Sequence, residues 1–282
     1  MTLTEIPCVF EIKDPIHGYI GLCEFEVDIL DLRLTQRLRY IRALAGVHLV
    51  YPGSDTSLLG SMLGVKHVTQ AFVEQMDGDI EDVMKARLAS MLPMIAKGAW
   101  SNVMDEYFST RGISRKRLAE ILLRETEIKD IIQNSEFSFQ ETIDLIQKGL
   151  PLKGARIDLL HTPINPELID CLMRDSYFAG VDYAKMEYRR LFDVTKIVKN
   201  RVAVERSALF TLDSYLTAAV TMSGAVYFHK TVRAAELMLL RILDEVGSQI
   251  APDPTKDIEA FSVFDDISFY HLFPENDPTG SE

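Results

Sequence analysis

Apolar residues recur at three- and four-residue spacing from Leu58 through Leu59, Met62, Leu63, Val65, Val68, Phe72 and Val73 to Met76. This pattern predicts an amphipathic helix over 58–76. Tyr51-Pro52-Gly53 before it reads as a turn, since proline fixes φ and glycine permits positive φ. Ser54, Asp55, Thr56 and Ser57 each offer a side chain able to cap the helix. Gly60 and Gly64 on its flank predict close packing there. After a turn at Met76–Asp79, a second helix is expected from Ile80 to Ile95. Two short helices are expected over 24–46, where Phe25, Val27, Ile29 and Leu30 are followed by Leu34, Leu38, Ile41, Leu44 and Ala45. Residues 103–160 read as all-helical, broken at Gly112, Asn134-Ser135 and Gly149-Leu150-Pro151. Weak alternation around Asp14-Pro15 and Gly18 predicts a β-hairpin over 8–22, and another is expected over 196–204, followed by one long helix to about Val246. The fold class is therefore mainly α, with small hairpins near the N-terminus and around 195–205. The expected organisation is a helical domain over 1–250 with a helical insert at about 103–160. A Pro- and Asp-rich extension over 251–282 follows, ending in a polar, partly disordered tip.

The chain has 282 residues, 47% hydrophobic and 26% charged, ample for a large core. No apolar run approaches the roughly 20 residues of a membrane helix, and no basic-then-apolar leader opens the sequence. Cys8, Cys23 and Cys171 are scattered and odd in number, which predicts reduced thiols in a cytoplasmic protein rather than a disulfide framework or a zinc site. The net charge of −12 argues against broad nucleic-acid binding. A local cluster such as Arg37, Arg39 and Arg42 can still face a phosphate, although a solvated helix face is the simpler reading. The mixed charges at Arg115, Lys116, Arg117, Glu120, Arg124 and Glu125 also read as a solvated face. His17 reads first as a turn residue, and Arg174 and Asp175 first as structural ion-pair candidates.

Several motifs stand in order along the chain. They are Asp14-Pro15-Ile16-His17-Gly18, Gln36-Arg37-Leu38-Arg39, Leu63-Gly64-Val65, Arg174-Asp175 and Val226-Tyr227-x-His229-Lys230. Together they resemble the HD-domain phosphohydrolase superfamily, of the dNTP-triphosphohydrolase type, over about 8–110 and 160–245. The resemblance implies a divalent metal held by a His, an adjacent His-Asp pair and a final Asp. Those positions read Ser61, Pro93, Met94 and Glu167 here. Two further family His positions read Lys97 and Asn102. Phosphate-contacting Arg positions read Leu58 and Ala219, a substrate-stacking Tyr position reads Cys171, and a substrate-contacting Gln position reads Ala43.

Proline has no side-chain donor atom, and the thioether of methionine suits soft metals rather than the hard cations of phosphate chemistry. No histidine occurs between Val68 and Leu160. A catalytically inactive homologue without a metal cofactor is expected, acting as a regulatory, nucleotide-binding or partner-binding oligomer. Its partners would be further copies of itself (dimer or tetramer), an active relative or a purine nucleotide, with no membrane. In allosterically regulated relatives, residues of the types found at Asp31, Gln36, Arg39, His229 and Lys230 read a nucleotide between subunits, so these are the candidate nucleotide-binding residues. One alternative is a hydrolase with a site rebuilt from Glu167, Asp170, Asp175, Lys97 and Asn102. Another is a scaffold whose old pocket is filled by Leu58, Met94 and Trp100.

Overall fold

A computed structural model describes residues 6–271. The chain opens with an antiparallel hairpin, β1 (Phe10–Asp14) and β2 (Gly18–Leu22), in which Ile12 faces Ile20. Helices α1 (Glu24–Asp31) and α2 (Arg33–Gln36) follow. The expected helix at 58–76 is α3 (Leu58–Gln75), and Ser57 alone of the four candidates caps it, its Oγ accepting from the Gly60 amide at 3.3 Å. The expected turn forms at Tyr51–Ser54, the Ser54 amide donating to the Tyr51 carbonyl at 2.8 Å, although Gly53 keeps an ordinary φ. It is glycine because a Cβ there would lie 2.6 Å from the Phe178 carbonyl.

Helix α4 (Ile80–Ile95) is capped by Asp79 and carries Pro93 in its last turn. Helices α5 (Asn102–Ser109), α6 (Arg115–Glu125), α7 (Ile128–Asn134) and α8 (Phe139–Lys148) follow. The insert is not all-helical, for β3 (Leu150–Leu152) and β4 (Ala155–Ile157) form a hairpin. Its turn is Lys153-Gly154, both at positive φ, which favours a two-residue β-turn over a helix.

Helix α9 (Pro166–Ala179) starts with Asn165 accepting from two of its first amides. Helix α10 (Tyr188–Asp193) leads into the second expected hairpin, β5 (Thr195–Val198) and β6 (Arg201–Val204). The long C-terminal helix is in fact two, α11 (Leu209–Met222) and α12 (Lys230–Ile250). A π-turn at Ser223–Tyr227 separates them, and His229 leaves the helical conformation to cap α12, its ring accepting from the Thr231 amide.

Short helices α13 (Ile258–Phe261) and α14 (Asp266–His271) complete the described chain. Phe261, Phe264 and Phe269 sink into the main core, so residues 251–271 are part of the helical body, while the expected disordered tip lies outside the described residues.

The centre of the molecule is α3, which packs against α4 on one side and α9 on the other. Gly64 permits the second contact, since a Cβ there would fall 2.0 Å from Asp170 Oδ1 and 2.3 Å from Arg174 Nη2. Gly60 is looser, its nearest neighbour for a Cβ lying at 3.6 Å.

Candidate functional site

Two polar clusters lie along α9. The first joins it to the N-terminal hairpin. Arg174 donates to both Asp170 oxygens at 2.9 and 3.0 Å and to Asp14 Oδ2 at 2.8 Å, and His17 Nε2 lies 2.7 Å from Asp170 Oδ1. Asp14 also accepts from the Ile16 and His17 amides. Burial pushes the Asp14 carboxyl up, but Arg174 and the two amides outweigh it and hold it below the usual range. His17 is thus neither a simple turn residue nor a free ligand, for its side chain is buried against Asp170. Its neighbour His67, 5.0 Å away ring to ring, is pushed down to about 4 by burial and by the charges of His17, Arg189 and Lys66.

The second cluster lies at the start of α9 and the end of α4. Arg115 Nη1 donates to Glu167 Oε1 at 2.6 Å, and Lys97 Nζ stands 3.8 Å from the same oxygen. Asp105 lies 3.8 Å from both cations. Lys97 also reaches Asn102 Oδ1 at 3.3 Å and Ser101 Oγ at 3.5 Å. Burial raises the Glu167 carboxyl, but Arg115 and Lys97 more than compensate, leaving it below its usual value and ionised. Of the charges expected on a solvated face, Arg115 is therefore committed to this cluster and Lys116 to Asp158, whereas Arg117, Glu120 and Arg124 pair along their own helix surface.

The turn that carries Lys97 is held from behind. Arg37, fully buried, donates to the carbonyls of Ile95, Lys97 and Phe264, closing the C-terminus of α4, and burial lowers it to about 9. Trp100 and Ser101 both sit at positive φ, and the Trp100 amide donates to Asp266 Oδ1 at 2.7 Å. The phosphate-facing role considered for the arginine cluster fails for Arg37. Arg42 pairs with Asp55 at 2.5 Å, and Arg39 stays exposed.

Leu58, Ser61, Pro93 and Met94 are all buried, Cys171 and Ala219 partly so, and Asn102 is exposed. Leu58, Met94 and Trp100 belong to one apolar cluster, with Trp100 packed on Phe269 and Tyr270. Asp175 does not pair with Arg174. It accepts from Tyr227 Oη at 2.8 Å, and burial lifts it to about 7. Cys171 is raised well above the ordinary thiol value by burial and by Asp175, Glu167 and Asp170. Of the rebuilt-site residues, Lys97, Asn102 and Glu167 come together, while Asp170 is turned into the first cluster and Asp175 toward Tyr227.

Asp31 is exposed at the end of α1, where Gln36 donates to the Leu30 carbonyl and accepts from Arg39 Nε at 2.6 Å. His229 caps α12 with Tyr51 against its ring, and Lys230 is exposed. Among the described residues, no hydrogen bond or ion pair joins these two groups. Arg115, Asp105, His67 and Tyr227 took no part in the site read from sequence. Arg115, His67 and Tyr227 find Glu167, His17 and Asp175 at long sequence separation, where no local spacing marks them.

A hard divalent cation needs oxygen or imidazole donors. The hydroxyl of Ser61, the ring of Pro93, the thioether of Met94 and a Glu167 already bonded to Arg115 do not supply that set. Among the described residues, no group of three or more His, Cys, Asp or Glu side chains is placed to hold a metal ion.

The family model of the HD associated region matches residues 186–282. A putative HD domain-containing protein of Acanthamoeba polyphaga mimivirus is 25% identical over 290 residues, 91% of this chain and 62% of that protein. The deoxynucleoside triphosphate triphosphohydrolase SAMHD1 of Gallus gallus is 20% identical over 323 residues, 96% of this chain and 52% of that protein. These matches support placing the chain with the HD phosphohydrolase superfamily. Uncharacterized protein YwfO of Bacillus subtilis matches this chain at 26% identity over 244 residues, 82% of this chain and 54% of that one. The crystal structure of a hypothetical protein from Aquifex aeolicus superposes with a TM-score of 0.82 at 26% identity, covering 95% of this chain and 72% of that one. The chain spans about half the length of the first of the curated relatives it matches. The mainly α fold expected from sequence is the HD-like fold observed.

Proposed function

We propose that this chain is a catalytically silent HD-fold protein that binds a purine nucleotide and works as an oligomer, in a regulatory role. One observation carries the reading. Glu167, the only carboxylate at the positions where the superfamily binds its metal, is bonded to Arg115 with Lys97 beside it. Two side-chain cations stand where a hard cation would be needed, and Pro93 and Met94 offer it nothing. Without that ion, water near the site keeps its ordinary pKa and the phosphate has no Lewis acid to polarise it. The nucleotide is assigned to Asp31, Gln36 and Arg39, with His229 and Lys230. Asp31 and Arg39 are exposed and can meet a base edge, and Lys230 can meet a phosphate.

Calorimetric titration of GTP, dGTP, ATP and dATP with magnesium or manganese present tests both parts. The expected result is a saturable heat for a purine nucleotide that is lost in Gln36→Ala. A sustained heat flow of turnover overturns catalytic silence. Absence of binding, checked by thermal shift, overturns the nucleotide role.

A further inference from the structure

A cleft of about 420 Å³ opens between the N-terminal hairpin and helices α3 and α4. His67, Gln70 and Glu74 recur at i, i+3 and i+7 on α3, so one face of that helix lines it. Arg87 of α4 reaches the same wall, its Nη1 donating to Gln70 Oε1 at 3.1 Å, and Gln70 Nε2 donates in turn to Glu74 Oε1 at 2.7 Å. The rest of the guanidinium is bonded to Glu26 and the Gly21 carbonyl, which fixes its position. The hairpin contributes Glu11 to the cleft, and Ile80 and Val83 give it an apolar part. Its size is within the range of clefts that hold small molecules.

The wall carries bonding capacity that the chain leaves unused. Among the described residues, neither ring nitrogen of His67 has a hydrogen-bond partner, and the Glu11 carboxylate is in no ion pair. Burial, and after it the positive charge of His17, Arg189 and Lys66, push His67 down to about 4. At neutral pH its ring is therefore uncharged and offers one donor and one acceptor. One Arg87 Nη1 hydrogen and one Gln70 amide hydrogen are also uncommitted, and Glu74 uses only one of its oxygens. The cleft is polarised as well. Lys66 and Arg87 share the single carboxylate of Glu26, which leaves a positive excess at the Arg87 and His67 end, whereas Glu74 and Glu11 are negative. A single side-chain amide, Gln70, separates the two ends, so one small molecule can reach both. We propose that this cleft binds a free α-amino acid with an apolar side chain, its carboxylate on Arg87, Gln70 and His67, its ammonium on Glu74 and Glu11, and its side chain on Ile80 and Val83. Charge-assisted bonds at both ends select the zwitterion. A nucleotide fits poorly, since its phosphates would face two carboxylates, and the site is independent of the nucleotide reading above.

The test is titration of the full chain with L-leucine and L-methionine, read by calorimetry and by the imidazole nitrogen resonances of His67. Saturable binding that shifts those resonances is expected. Leucinol, which lacks the carboxylate, and isocaproate, which lacks the ammonium, should each bind at least about tenfold more weakly than leucine. Glu74→Gln should also weaken leucine by at least about tenfold, whereas Glu81→Gln, whose carboxylate pairs with Lys85 on α4, should leave it unchanged. The analogue series needs no variant, so it decides the matter even if Glu74→Gln fails to fold. No saturable binding of either amino acid overturns the site. Leucinol or isocaproate binding as tightly as leucine overturns the zwitterion assignment. Leucine binding undiminished in a folded Glu74→Gln chain, with the His67 resonances unmoved, overturns its place in this cleft.

Discussion

The two clusters along α9 share a helix but differ in what they keep. At Asp14, His17, Asp170 and Arg174, motif residues of the superfamily are present and bonded to one another across 153 and 160 residues of sequence. At Lys97 and Glu167, positions the resemblance assigns to the metal site hold other residues, and ion pairs link them to each other, to Asp105 and to Arg115. The first cluster ties the hairpin, α3 and α9 together, so its chemistry is a condition of folding. In our account the second is free to change because the fold does not depend on a metal there. A motif can therefore persist because it holds helices in place, and its presence alone does not report activity.

This contrast is broken most severely at Arg174. Arg174→Ala would strand Asp14 and Asp170 as buried charges, at a cost of about 3–5 kcal/mol, read as a lower urea midpoint. Should that variant fail to fold, Gly64→Ala tests the same packing more gently, with a loss of about 1–3 kcal/mol, whereas Gly60→Ala should change stability by less than about 1 kcal/mol. Equal effects at the two glycines would mean that α9 does not rest on α3 through Gly64.

A smaller, pH-dependent effect is expected beside the clusters, at Asp175. Burial raises its folded value from the ordinary 3.8 to about 7, so the carboxyl keeps its proton well above the usual range and loses it around neutral pH. The native state then binds more protons than the unfolded chain, and this group's contribution falls as pH rises from about 4 to about 7 and is level above. The full cost is on the order of 4 kcal/mol at most. Asp175→Asn keeps an acceptor for Tyr227 and removes the titration. It should therefore gain more stability over the wild type at pH 8 than at pH 5, by urea unfolding at both. His67 titrates in the opposite sense, since its depressed value costs stability as pH falls from 6.5 toward 4, so comparing variant with wild type isolates Asp175.

Much of the fold was legible in the sequence. The limits of α3 and α4 follow from continuous apolar spacing between Ser57 and Asp79 caps and a turn, all of it local. The β3–β4 hairpin was missed because Leu-Pro-Leu and Ala-Arg-Ile are too short to show alternation against a helical background. The break between α11 and α12 was missed because Gly224 is its only sequence signal and the apolar spacing continues on both sides, while the His229 cap that starts α12 leaves no local mark. The residue types standing at the positions the resemblance assigns to the metal were legible one by one. That Arg115, 52 residues from Glu167, would bond to it was not, since ion pairs between distant elements leave no periodicity in a sequence.

On this reading the Arg115–Glu167–Lys97 cluster leaves no place for a catalytic metal. Equilibrium dialysis against manganese and iron(II), followed by elemental analysis of the full chain, tests it most directly. Less than stoichiometric metal is expected in the wild type, with no gain in Arg115→Ala, because Pro93 and Met94 still offer no hard donor and Ser61 only a neutral hydroxyl. One tightly held ion per chain, lost in Glu167→Gln, would contradict it.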